Sequence, residues 1–183
     1  ADVVIINKVD TASPEAVKAV REKIKAMNPS AAVIEAESPV AIENEGGRVK
    51  GKRVLVVEDG PTLTHGDMDH GAAYVAAKQY GAKEIVDPRP YALGTIKTVY
   101  ENFRQLTSIL PAMGYGDAQM HELKETINAV PADLVLVGTP IDLAGHLHFN
   151  KPSLRVTYSL KEKTAPGLKE ILGKLLKNAT VKK

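Results

Sequence analysis

The run Glu58-Asp59-Gly60-Pro61-Thr62-Leu63-Thr64-His65-Gly66, continuing to His70-Gly71, concentrates carboxylates, hydroxyls, imidazoles and glycines in one short stretch. Imidazoles exchange protons near neutral pH, carboxylates orient them, and glycines let a backbone approach a ligand closely. On that chemistry His65, Asp59 and Glu58 are candidate catalytic groups, and Thr62, Thr64, Gly66 and His70 candidate substrate contacts. Asp59, Asp67, Asp69, His65 and His70 could also hold a divalent ion, oxygen ligands favouring magnesium and imidazoles zinc; the metal stays unassigned. The purely structural alternative is that His65 caps a helix.

These residues follow Val54-Leu55-Val56-Val57, a continuous apolar run that reads as a buried strand, and precede a helix through Tyr74, Val75 and Tyr80, expected over about Asp67–Tyr80. In an open parallel sheet, ligands lie outside the carboxyl ends of the strands, which is where this loop falls. Other strand ends carry similar residues: Asp87 with Arg89, Gly114-Tyr115-Gly116, and Thr139 with Asp142. Arg89 suits an anionic, phosphorylated ligand because its planar fork binds two oxygens together, unless Asp87 pairs with it across the turn. Asp87, Arg89, Tyr115, Thr139 and Asp142 are therefore further candidate substrate contacts.

A second pattern stands near the start. Asn7-Lys8-Val9-Asp10 ends the apolar strand Val3–Ile6. It offers a flat purine base a carboxylate that accepts two N–H bonds, an amide that supports the loop and bonds the base, and an alkyl stem along the ring face. The next strand, Ala32–Ala36, ends at Glu37-Ser38-Pro39. Gly145–Ser153 nearly traces a phosphate-binding P-loop, yet Asn150 replaces the second glycine and Pro152 removes an N–H donor, so the chain has no P-loop sequence. His146 and His148 alternate as on one face of a strand, but no acidic third ligand stands nearby.

The 183 residues carry a formal net charge of +2, with lysine and arginine interspersed among acids, so there is no electrostatic footprint for nucleic acid. No apolar run approaches the ~18 residues of a membrane span. The absence of cysteine removes disulfides, thiolate metal sites and a cysteine nucleophile, and agrees with a cytoplasmic protein. Oligomerisation with further copies of the chain stays open.

Strand and helix patterns alternate: a helix opened by Ser13-Pro14 with the core stripe Val17, Val20, Ile24 and Met27; a polar connector over Ile42–Lys52; then strands near 53–57, 84–86, 108–110, 133–137 and 154–158, separated by helical patterns and followed by a final one at 168–176. Repeated β–loop–α units imply an α/β fold with a doubly wound, mostly parallel, Rossmann-like sheet. The boundary is expected near the connector. Residues 1–45 then form the C-terminal remnant of a P-loop nucleotide-binding domain, and 46–183 the Rossmann-like domain. A strand as apolar as Val3–Ile6 wants neighbours on both sides, so the chain reads as a fragment of a longer protein.

Asn7-Lys8-Val9-Asp10 is the sequence found in GTPases of the P-loop class. Together with Val56–Gly66, Gly71–Lys78, Val86–Tyr91, Leu110–Gly116 and Gly138–Leu143, it resembles the C-terminal half of the predicted-GTPase family related to cyclic 2,3-diphosphoglycerate synthetase. The resemblance implies an N-terminal half that completes the protein, a nucleotide, GTP or ATP with Mg²⁺, held by the full-length parent, and a small phosphorylated acid as second substrate. Under it Asn7, Lys8, Asp10 and Ser38 are nucleotide contacts, and the fragment alone is inactive. The competing expectation is a non-catalytic anion-binding or regulatory module of a GTPase switch.

Overall fold

In a computed structural model, residues 1–42, 46–66, 68–114 and 116–180 are described. The chain divides into two units, Ala1–Pro39 with Tyr158–Lys183, and Val40–Thr157.

The first unit begins with β1 (Val3–Ile6), α1 (Pro14–Met27) and β2 (Ala32–Glu37). Ser13 caps α1, its hydroxyl accepting from Ala16 N, and Pro14 sets the first helical φ where no N–H is needed. The two strands are parallel, Val3 opposite Ala32 through Ile6 opposite Glu35. The α1 stripe is less covered than its pattern predicts. Val17 and Ile24 are half-buried, whereas Val20 is 46% and Met27 78% exposed, because this unit's sheet is narrow and only part of the stripe is screened.

The second unit runs β3 (Val40–Ile42), β4 (Arg53–Asp59), α2 (Gly60–His65), α3 (Ala72–Gln79), β5 (Glu84–Ile85), α4 (Gly94–Asn102), β6 (Leu110–Ala112), α5 (Asp117–Ala129), β7 (Leu134–Gly138), α6 (Leu143–Leu147) and β8 (Ser153–Tyr158). Strand β4 is central. On one edge its first residues pair with β5 and its last with β6, Val57 to Asp59 facing Leu110 to Ala112; on the other edge β7 runs alongside, followed by β8 and β3. The pairings β4–β5, β4–β6, β4–β7 and β7–β8 are all parallel.

Side-chain parity explains the unbroken apolar runs. Val54, Val56, Leu134, Leu136, Leu154 and Val156 join Ala73, Ala76 and Ala77 of α3 in one core. Leu55, Val57, Val135 and Val137 join Ile96 of α4 and Leu123 and Ile127 of α5 in another. Helices thus cover both faces of a mostly parallel α/β sheet, and the chain adds strands on one side of β4 before crossing to β7 and β8 on the other. That is a doubly wound order, with its switch point between the ends of β4 and β7.

The chain then returns to the first unit. β9 (Lys161–Glu162) pairs antiparallel with β2, Glu37 opposite Lys161, and α7 (Leu168–Thr180) follows.

Several expectations change. Residues 158–183 belong with the N-terminal unit, and the division falls at 39/40, not 45/46. The cause is β9, a two-residue polar strand too short to leave a period in the sequence. Helix α3 begins at Ala72 rather than Asp67, β6 lies two residues later than predicted, and the Asp59–His65 loop is largely helix α2. His146 lies on α6 and His148 at its left-handed C-cap, not on a strand.

Candidate functional site

In the first unit, parallel pairing sets the ends of β1 and β2 side by side, and the residues singled out there converge. Asn7 turns its side-chain oxygen onto Lys8 N at 2.8 Å. The Lys8 carbonyl closes the loop by accepting from Thr11 N at 3.2 Å and Ala12 N at 3.1 Å, and Val9 N bonds Ala36 O at 3.1 Å. Asp10 Oδ1 accepts from Ser38 N at 3.0 Å, joining the two strand-end loops directly. Lys8 adopts φ 62, the left-handed region that costs a non-glycine residue about 1–2 kcal/mol. Asn7, Lys8 and Asp10 are exposed and Ser38 is half-buried, so their remaining polar groups are open to a ligand. Glu37, one residue before Ser38, pairs with Lys161 at 3.2 Å and Lys163 at 3.3 Å from the returning segment. Hydrogen bonds from both ammonium groups hold its carboxyl below the ordinary range.

In the second unit, the switch point is built around Glu58. This carboxylate is only 2% exposed. As an even-numbered position on β4 it faces α3, and Oε1 accepts from Tyr74 N, in the first turn of that helix, at 2.9 Å. The N-cap of α3 is Gly71, which has no side chain to satisfy these amides, so the buried acid does so from the neighbouring strand. Two glycines make the room. A Cβ on Gly71 or on Gly138, at the end of β7, would stand 2.5 Å from Glu58 Oε2. The sequence reading assigned Glu58 to proton chemistry; its geometry makes it the packing centre of the β4–α3–β7 junction.

The other candidates are explained one by one. Asp59 caps α2, its Oδ2 accepting from Thr62 N at 3.3 Å and the Thr62 hydroxyl at 2.5 Å. The Thr64 hydroxyl bonds back to Gly60 O at 3.1 Å. Gly66 is the C-cap of α2, and exposed His65 is the last residue of that helix. His70 Nδ1 meets Asp69 Oδ1 at 2.5 Å, and its ring lies 5.2 Å from that of Tyr74, over which the Lys78 ammonium also stands, 5.6 Å from the centroid. Buried Thr139 donates to Ile141 O at 2.7 Å, and Asp142 caps α6 through Gly145 N at 3.1 Å. Tyr115 and Asp67 lie outside the described residues. Among the described residues no group of three or more His, Cys, Asp or Glu is arranged to hold an ion.

Arg89 takes the alternative weighed above. Its Nε and Nη2 grip both oxygens of Asp87 at 2.7–3.1 Å. Strand β5, which precedes it, pairs only with Arg53 and Val54, so it stops well short of the end of β4, where β6 takes over the edge. Arg89, expected to suit an anionic ligand, therefore has its guanidinium already engaged by a carboxylate. Lys151, the would-be P-loop lysine, donates to Asn128 O at 2.6 Å and Asn150 Oδ1 at 2.9 Å, and desolvation pulls its pKa down. Arg155, which the sequence reading passed over, reaches Pro140 O at 2.9 Å beside the β7 end. Parity on β8 opposite Val137 was the signal available for it.

Among the described residues no helix is long and apolar enough to cross a membrane.

Two outcomes are expected. The nearest atoms that Gly71→Ala would meet are those of the Glu58 carboxyl, so it should cost about 1–3 kcal/mol in the native background and much less beside Glu58→Ala; a double-mutant cycle by urea unfolding reads the coupling, and strict additivity would refute the packing account. The Arg89 hydrogen bond holds Asp87 below its ordinary range against an opposing effect of burial. A depressed carboxyl stabilises the fold above its unfolded-state pKa, and that contribution is lost as pH falls through the folded value. Asp87→Asn should therefore lower Tm in the region above the unfolded-state pKa, where that contribution is fully present, and flatten the acid limb of a Tm-versus-pH curve, as thermal unfolding across pH would read.

No family model matches the chain. A curated relative, the arginine synthetase ArcE of Thermococcus kodakarensis, is 56% identical over 178 residues, which cover 97% of this chain and 40% of the relative. The chain thus spans about two fifths of the length of the curated relative that it matches.

Proposed function

We propose that this chain is part of a nucleotide-dependent synthetase, in which the first unit reads the base of a nucleoside triphosphate and the whole protein forms arginine. The observation that carries the nucleotide half is the bond from Ser38 N to Asp10 Oδ1. It locks two loops from adjacent parallel strands into one rim, with Lys8 held in a strained left-handed conformation that a mere turn would give to glycine. With Oδ1 so occupied, Oδ2 is the oxygen offered to the N–H edge of a base, and a guanine edge, with two adjacent donors, fits it best. GTP is the nucleotide favoured and ATP the alternative.

The arginine half is supported by the relative's name and by the charge of the second unit. Its strand-end loops carry Asp59, Asp69 and Asp142, while Arg89 is neutralised by Asp87. A polyanionic substrate such as a phosphorylated acid would be repelled there, whereas an amino acid bearing a guanidinium would be attracted. Arginine chemistry therefore takes the place of the phosphorylated-acid chemistry that the family resemblance implies. The Mg²⁺ that accompanies a nucleoside triphosphate would be carried by the nucleotide's own phosphate groups.

The test uses the full-length protein with GTP or ATP, following triphosphate conversion and arginine by amino-acid analysis. Conversion coupled to arginine formation is expected; nucleotide turnover indifferent to arginine and its precursors would sink the reading. Asp10→Asn sharpens it. The amide can keep its oxygen on Ser38 N and place its NH₂ where Oδ2 stands, so guanine loses charge-assisted bonds worth about 1.5–3 kcal/mol each, roughly 10–100-fold in Kd. Xanthine nucleotides should gain, and an unchanged preference by competition binding would remove Asp10 from the base site.

A further inference from the structure

Strand β1 consists of Val3, Val4, Ile5 and Ile6, the composition of a strand enclosed in a parallel sheet. Among the described residues its one hydrogen-bonded neighbour is β2. The Asp2 carbonyl accepts from Ala32 N at 3.0 Å, which fixes the phase of the ladder. Main-chain groups alternate between edges, so Asp2, Val4 and Ile6 turn theirs to β2, and Val3 and Ile5 turn both N–H and C=O to the opposite edge. Val3, Val4 and Ile5 remain half-buried, while Val54 to Val57 of β4, equally apolar but flanked on both edges, are 0% exposed. On α1, Val20 and Met27 are exposed as well.

We propose that the outer edge of β1 receives one further parallel strand, contributed by the part of the polypeptide outside these 183 residues. The relative is the longer protein, since the match leaves most of its length uncovered. A second copy of this chain fits less well. Two β1 strands meeting edge to edge across a two-fold axis would run antiparallel, whereas a strand apolar on both faces, already in a parallel pair, has the pattern of a parallel sheet interior. An added parallel strand would end on the same side as β1, so the loop that follows it would stand at the edge occupied by Asn7, Lys8 and Asp10. The proposal rests on strand geometry and does not depend on the nucleotide or arginine readings.

Residue-resolved amide hydrogen exchange on the full-length protein, without nucleotide, tests it. Val4 and Ile6, bonded to β2, are the internal reference. Val3 and Ile5 are expected to be protected to within about tenfold of them; exchange on the order of a hundredfold faster would overturn the proposal. Protection that rises with protein concentration would assign the edge to a second copy and also overturn it. Val3→Pro deletes one outward N–H and leaves the bonds to β2 intact, so it should speed exchange at Ile5 by about tenfold or more while Val4 holds; an unaltered Ile5 counts against the added strand. Where that variant does not fold, the exchange of the unmodified protein decides alone.

Discussion

The second unit depends on what β4 can satisfy along its whole length. From Val54 to Val57 the strand has helices over both faces and strands along both edges, so its four apolar side chains are wholly buried. The next residue inherits that burial but is Glu58. An acid there is accommodated where the first turn of α3 supplies an N–H at 2.9 Å and two glycines leave space for its side chain. Glu58 thereby bonds the strand to the helix start and packs against the β7 end. The switch point, where doubly wound sheets commonly take a ligand, is held together by the chain's own carboxylate.

Much of this was legible in the sequence, and the reasons for the rest are physical. The strands of the second unit announced themselves because burial on both faces leaves unbroken runs of Val and Leu, and Ser13-Pro14 and Gly81 marked a helix start and a helix end by conformational preference alone. The loop after β4 reads two ways: Asp59, Gly60, Pro61 and Thr62 contain an N-cap and a first-turn proline, the ordinary start of a helix, but a carboxylate beside a threonine and a histidine reads equally as chemistry. β9 was invisible because two polar residues carry no period, and only its pairing with β2 shows that the C-terminal segment belongs to the first unit.

The same contrast applies to the candidate residues. Asn7, Lys8, Asp10 and Ser38 were grouped by a short motif and a loose analogy, and the structure joins them by a hydrogen bond between residues 28 positions apart. Arg89 and Asp87 were grouped with a ligand by their types, and the structure joins them to each other. Sequence gives the inventory of charges at a strand end; it does not say which charges neutralise one another, because that depends on where β5 stops relative to β4.

Once Arg89 is matched by Asp87 and Glu58 by the start of α3, the charged groups at the strand ends of the second unit include the exposed carboxylates that cap α2 and α6, the Asp69–His70 pair and the exposed Arg155 beside the β7 end. Caps of this kind are structural in origin, each satisfying amides that its helix leaves open. In this chain the Asn7–Asp10 and Ser38 loops and the acid-rich strand ends fall in separate compact units, each with its own sheet.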